Sequence, residues 1–226
     1  MNTKIKHIFF DLDGTLIDSI PDITSSLNCM RKFYGLEQLT NETIANIVGK
    51  GFPTTVRRVL SIDMNKQQVE KNASEAINLT MKAYEEKMGE NTVVYKYVID
   101  MLEFCNKSEI NLSIVTNKEY NHAIKILEKL DLLKYFSTVV GGDTTKYYKP
   151  NPAPLKHAIK IANADISTSI MVGDSDNDYI CAQQSGVSSV LITHGYHHGI
   201  NFKDLEVDLI ISNFKELVEY IKTNNN

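Results

Sequence analysis

The feature that most constrains this chain is a recurrence of short apolar runs, rich in isoleucine, valine and phenylalanine, separated by segments of helical character. They are Ile5–Phe10, Ile110–Val115, Thr138–Val140, Ile170–Val172, Ser189–Ile192 and Asp208–Ile211. Runs this short and this uniformly apolar suit strands buried on both faces, and their alternation with helices is the pattern of an α/β fold built on a parallel sheet. Sites in such sheets form at the carboxyl ends of the strands. The polar residues just past each run are therefore the first candidates for function.

One stretch breaks the alternation. From Asp18 to Met88 no run reads as a strand, whereas Ile20–Tyr34, Pro53–Leu60 and Gln67–Met88 carry helical spacing. Ser19 ahead of Pro21, and Thr40 with Thr43 downstream, mark helix starts; Gly35, Gly49, Gly51 and Gly89 punctuate the ends. The expectation is an all-helical domain over residues 18–89, inserted into a core formed by 1–17 and 90–226. The terminal Thr223–Asn226 reads as a frayed end.

Composition narrows the partners. A net charge of −4 and scattered lysines leave no basic surface for a phosphate backbone, so nucleic acid is not expected. The amino terminus, MNTKIKHIFF, turns acidic by Asp11 and lacks the apolar stretch of a signal peptide. No window reaches the roughly 18 apolar residues of a membrane span. A cytoplasmic protein, monomeric or homodimeric, is expected. Cys29, Cys105 and Cys181 are odd in number and fall in no CxxC pattern, which suits reduced core thiols.

The first run ends in Phe10-Asp11-Leu12-Asp13-Gly14-Thr15-Leu16-Ile17-Asp18. Two carboxylates this close to the end of an apolar strand raise each other's proton affinity unless a cation intervenes. A metal is the simplest compensation, although Asp-Gly-Thr is also good turn chemistry. Three further signals follow: Ile114-Val115-Thr116-Asn117, then Lys149 in Tyr148-Lys149-Pro150, then Gly173-Asp174-Ser175-Asp176-Asn177-Asp178. Singly, a threonine after a strand is usually a helix cap and a lone lysine a solvated charge.

In this order the four motifs resemble those of the haloacid dehalogenase superfamily, along nearly the whole chain. The resemblance implies a Rossmann-like core covered by helices, Mg²⁺ as cofactor, and hydrolysis of a small-molecule phosphate ester. Asp11 is the implied nucleophile, transiently phosphorylated, with its other oxygen on the metal. Asp13 is the implied general acid and then base, its backbone carbonyl also a ligand. Asp174 is the expected carboxylate ligand, and Asp178, one turn on, binds directly or through water. Asp176 faces elsewhere, and Ser175 and Asn177 either orient ligands or cap the helix. Thr116, Asn117 and Lys149 are expected on the phosphate, with Lys149 also on Asp11. Hard oxygen donors favour magnesium over zinc.

A helical insertion between the first and second motifs resembles the cap of phosphoglycolate phosphatases, β-phosphoglucomutases and bacterial pyrophosphatases. Within it, Gly49-Lys50-Gly51, followed by Arg57, resembles the substrate-selecting cap loop of the phosphoglycolate phosphatases; a plain helix–helix turn with solvated basic residues is the alternative. Thr193-His194-Gly195-Tyr196 resembles a loop near the active site, with His194 in the place of an aromatic residue and His197 and His198 on the surface. Val94-Tyr95-Lys96-Tyr97-Val98 departs from the family's Tyr-Pro-Gly-Val turn. Phosphomonoesterase activity is the leading expectation. Mutase, pyrophosphatase or nucleotidase chemistry, and from another class a phosphoaccepting signalling module, are the alternatives.

Overall fold

The computed structural model describes residues 4–196 and 201–225, so His197 and His198 lie outside the described residues. Each expected run becomes a strand within two residues of its expected start: β1 (His7–Phe10), β4 (Asn111–Val115), β5 (Thr138–Val140), β6 (Ser169–Gly173), β7 (Ser188–Ile192) and β8 (Leu209–Ile211), where β2 and β3 are the short strands given below. They form one six-stranded sheet in the order β5-β4-β1-β6-β7-β8, every pair parallel. The chain builds β4 and β5 on one side of β1, then crosses to β6 on the other. The switch point of the sheet thus lies at the carboxyl end of β1, directly before Asp11.

Alternation along β1 divides the core between the two faces. Ile8 and Phe10 join the larger cluster with Leu112, Ile114 and Val172, and Phe9 turns the other way onto Val115, Met171, Leu155 and Cys181. The helices that cover these faces are α5 (Val98–Lys107), α6 (Tyr120–Lys129), α7 (Ala153–Ala162), α8 (Asp176–Ser185) and α9 (Phe214–Asn225). Of the expected frayed end, residues 223–225 are instead the last turn of α9, and Asn226 lies outside the described residues. Asn225 accepts from the Ile5 N–H at 2.7 Å and donates to its carbonyl at 3.0 Å. A side chain 220 positions away supplies a pairing that end composition does not reveal.

Between Ser19 and Met88 lie four helices: α1 (Ile20–Phe33), α2 (Asn41–Ala45), α3 (Gly51–Leu60) and α4 (Lys66–Lys87). Thr40 caps α2 by accepting from Thr43 N–H, and Asn65 with Gln68 forms a reciprocal capping box on α4. Ser19 marks the start of α1 but makes no side-chain cap; its hydroxyl donates to Asp13. Where the chain leaves and re-enters the sheet region, β2 (Ile17–Asp18) pairs antiparallel with β3 (Val93–Val94). Two-residue strands carry no periodicity, so the sequence reading missed them.

Asp22, fully buried in α1, fastens this crossing. Its carboxylate accepts from the N–H groups of Gly89, Asn91 and Thr92, the Thr92 hydroxyl and the Asn91 amide, at 2.6–3.2 Å. Burial pushes its pKa upward, but the bonds from Thr92, Asn91 and Gly89 outweigh burial and hold the carboxyl below its ordinary value. Beside the crossing, Tyr97 takes φ 67°, the left-handed conformation that a glycine in the family's turn adopts without steric cost. Lys96 and Lys215 lie over its ring, 4.8 and 4.2 Å from the centroid.

Cys105 and Cys181 are buried in the core, and burial pushes their thiols up to about 12 and about 11. Cys29 departs from the expectation: it is exposed, on the outer face of α1. No described helix is long and apolar enough to cross a membrane.

Candidate active site

The strand ends at the switch point bring three carboxylates together. Asp11 follows β1, Asp174 follows β6, and Asp178 lies in the first turn of α8; one oxygen from each falls within 4.8 Å of the others. Asp11 is fixed by its own backbone, Asp11 N–H donating to Val172 O at 2.9 Å and Leu12 N–H to Asp11 Oδ1 at 2.7 Å. Asp174 accepts from the Thr15 hydroxyl at 2.7 Å and from Tyr196 N–H at 2.6 Å.

Gly14 sits against this carboxylate with φ +87°; a Cβ there would stand 2.4 Å from Asp174 Oδ2, so a side chain is excluded both by conformation and by space. Asp178 Oδ2 accepts from Ser175 Oγ and from the N–H groups of Asp174 and Ser175, at 2.8–3.2 Å. Ser175 thus ties Asp178 to the start of α8. Asp176 takes no part in the cluster.

Lys149 is the counter-ion. Only 1% exposed, its ammonium lies 2.9 Å from Asp11 Oδ1 and 2.6 Å from Asp178 Oδ1. Burial alone would lower it, but the two carboxylates outweigh burial and raise it above the ordinary lysine value. Burial also pushes Asp11 up to about 6, with Lys149 opposing and Asp178 adding to the rise. Asp174, without a lysine, is raised well above the carboxylate range by burial and by its two acidic neighbours. Three carboxylates against one ammonium leave an excess of two negative charges in a buried place.

Asp13 stands apart from this cluster. Its carboxylate is held by Lys118 Nζ at 2.9 and 3.0 Å and by the Ser19 hydroxyl. Lys118 is buried, 4.8 Å above the Tyr84 ring of α4. The sequence reading stopped at Thr116-Asn117 and missed this lysine one residue on. It also gave Thr15 no role, although it lies inside the first motif, read Ser19 only as a helix start, and placed Tyr196 in a loop near the site without a partner. Tyr196, besides its N–H on Asp174, donates its hydroxyl to Asp18 at 2.8 Å and accepts from Ser19 N–H at 3.0 Å. His194 is stacked on Tyr95 at 3.9 Å, with Nε2 bonded to Thr15 O at 3.0 Å.

A cavity opens over Asp11 and Asp13, walled by Thr116 and Lys118 on the sheet side and by Val48, Gly49, Gly51 and Phe52 from the helical segment. Two of the expected site residues have side chains bonded elsewhere in this structure, although Asn117 also lines the cavity. The Asn117 side chain was expected on the phosphate, but its amide donates to Gly49 O and Lys149 O, both at 2.9 Å, and accepts from Lys149 N–H at 2.8 Å. Its bonds make it a brace for Lys149 and the glycine loop. Arg57 was expected at the substrate; its guanidinium instead caps Pro53 O at 3.0 Å and faces Glu70 at 3.4 Å on the exposed side of α3. Lys50, half-buried, is not part of the cavity wall either.

Comparison with known proteins follows the same lines. The chain matches the family model for haloacid dehalogenase-like hydrolases over residues 8–192. It is 34% identical over 223 residues to a phosphoglycolate phosphatase of Chromobacterium violaceum, covering 98% of this chain and 99% of that one. A phosphoglycolate phosphatase of Pseudomonas fluorescens is 34% identical over 212 residues, 93% of this chain and 78% of the relative. Among solved structures, a predicted phosphoglycolate phosphatase from Haemophilus somnus superposes with a TM-score of 0.88 at 27% identity, covering 96% of this chain and 98% of that one. With a family match that spans every strand of the sheet except β8 and all the carboxylates at its switch point, this chain belongs to the haloacid dehalogenase-like hydrolases.

Proposed function

We propose that the protein is a magnesium-dependent phosphatase that hydrolyses a small-molecule phosphate monoester through an aspartyl phosphate on Asp11. The observation that carries the reading is the buried cluster of Asp11, Asp174 and Asp178 around Lys149, facing a cavity at the switch point of the sheet. An excess of two negative charges on hard oxygen donors fits a divalent cation such as Mg²⁺. Asp11 and Asp174 would hold it directly, with the Asp13 carbonyl as a further ligand; Asp178, already committed to Lys149, Ser175 and backbone N–H groups, orients the others. When bound, the cation neutralises charge on the phosphate oxygens.

The chain's own groups account for the remaining steps. A carboxylate oxygen of Asp11 attacks phosphorus as the ester P–O bond breaks, and the leaving oxygen takes a proton from the Asp13 carboxyl. Asp13 then takes a proton from water, whose oxygen attacks phosphorus, and the P–O bond to Asp11 breaks to give phosphate and the free carboxylate. Thr116, in the cavity wall, hydrogen-bonds the phosphate, and Lys149 counters the charge that passes between Asp11 and the phosphoryl group. Lys118 and Ser19 hold Asp13 at the cavity edge.

Residues 18–89 act as a cap domain over a core of 1–17 and 90–226, with Gly49–Gly51 closing the cavity and selecting the substrate. Reduced thiols and the acidic net charge suit a cytoplasmic enzyme acting alone or as a homodimer. The name shared by the relatives makes 2-phosphoglycolate the reference ester. Phosphate release by the purified protein, with and without magnesium, tests the reading: release that magnesium leaves unchanged would contradict it.

A further inference from the structure

The wall of the cavity carries one charged group that neither the nucleophile nor the acid–base step uses. Glu119, at the amino end of α6, lines the cavity across from Gly51; its Oε1 lies 3.8 Å from where a Cβ on that glycine would stand. Its Oε2 is buried and pairs with His122 Nδ1 at 3.5 Å. The other ring nitrogen of His122 faces Glu85 at 3.3 Å. Although burial pulls the other way, contacts with His122, its own backbone N–H and Lys118 hold the Glu119 carboxyl below its ordinary value, so it is ionised near neutral pH.

The charge balance of the wall follows. Its acidic members are Asp11, Asp13 and Glu119, and its basic member is Lys118, already held by Asp13 at 2.9 and 3.0 Å. Lys149 lies outside this wall, against Asp11 and Asp178. Arg57 and Lys50, the cations the sequence offered for an acidic substrate, do not reach it. Past the phosphate, the wall therefore carries the Glu119 carboxylate, beside apolar surface from Ile23, Val48 and Phe52. Like charges brought together away from water repel, and a buried acceptor favours a partner that donates.

Building on the phosphatase reading, we infer that Glu119 selects the leaving group: it favours esters of uncharged hydroxylated alcohols or amino alcohols and disfavours those whose alcohol carries a carboxylate. Specificity for this chain is thereby set by the core helix α6 as well as by the cap loop, and in a direction opposite to 2-phosphoglycolate.

Three esters of nearly equal size isolate the effect: 2-phosphoglycolate, 2-hydroxyethyl phosphate and phosphoethanolamine, which place a carboxylate, a hydroxyl and an ammonium at the same position. The full-length protein with magnesium should show kcat/KM at least about tenfold higher for the hydroxyl and ammonium esters than for the carboxylate. Glu119→Gln should raise kcat/KM on 2-phosphoglycolate and lower it on phosphoethanolamine, chiefly through KM. Glu119→Lys should invert the order. A purely structural role would move all three esters in one direction.

A wild-type preference for 2-phosphoglycolate, or ratios that neither variant moves, would overturn the inference and leave the phosphatase reading intact. Absence of magnesium-dependent release from these esters and from an aryl phosphate would overturn both.

Discussion

Replacing Asp22 by asparagine removes one oxygen from a carboxylate that accepts five hydrogen bonds, and the geometry says which are lost. Three donors, Gly89 N–H, Thr92 N–H and the Thr92 hydroxyl, converge on Oδ2, and the two from Asn91 converge on Oδ1. The asparagine keeps its oxygen toward the three and sets its amide against Asn91. The Asn91 side chain can turn to water; its N–H is left facing a donor, at a cost of about 1–2 kcal/mol. Each of the three retained bonds passes from a charged to a neutral acceptor, at about 0.5 kcal/mol apiece.

The sum is about 3 kcal/mol, or a fall in Tm of about 6–12 °C for a chain of this size. Urea denaturation followed by far-ultraviolet circular dichroism measures it. The pH dependence has a definite sign. Because the folded carboxyl is held below 3.8, its contribution is fully present above that value and is lost as pH falls through the folded value. The difference between wild type and variant should stay level from pH 7 to about 4 and shrink below it. Equal stabilities at pH 7, or a difference that persists unchanged into strong acid, would refute the assignment of Asp22 as the fastening of the crossing.

Two further outcomes follow from the buried charges. Lys149→Met should leave Asp11 and Asp178 uncompensated, lowering kcat by about 10²-fold or more and Tm as well; steady-state kinetics retaining most of wild-type kcat would contradict its place beside the nucleophile. His7, buried with Nε2 2.8 Å from Ser113 Oγ and stacked on Phe9, is pushed down to about 4 by burial. Its ring stays neutral in the fold while the unfolded chain takes a proton near 6.5, so stability should fall as pH drops from about 6.5 to 4, by about 3 kcal/mol. His7→Gln should flatten that part of the profile in urea titrations, and an unchanged slope would contradict the burial of a neutral ring.

What the sequence disclosed follows from the range of the interactions involved. The six strands were legible because burial on both faces demands unbroken apolar runs, the Asp11 and Asp174 motifs because each follows such a run, and Lys149 only through its place in the order of motifs. The partners of those residues were not legible. Lys118 reaches back 105 positions to Asp13, and Tyr196 22 positions to Asp174, with no local pattern to announce either bond. The bonds that Asn117 and Arg57 make to backbone carbonyls were not legible for a related reason: an amide or guanidinium near a site satisfies nearby carbonyls as readily as a ligand. The Tyr97 turn is a different case. The expected glycine is missing, and Tyr97 itself takes the left-handed conformation, which no residue-type signal at that position announces.

The central claim is that Asp11 carries the phosphoryl group. Rapid quenching of the protein during turnover of a phosphate ester in the presence of magnesium, followed by mass spectrometry of the peptide that contains Asp11, tests it directly. The account predicts one added phosphoryl group on Asp11 at early times and neither adduct nor phosphate release in Asp11→Asn. Undiminished turnover by Asp11→Asn, or a phosphoryl group on another residue, would contradict it.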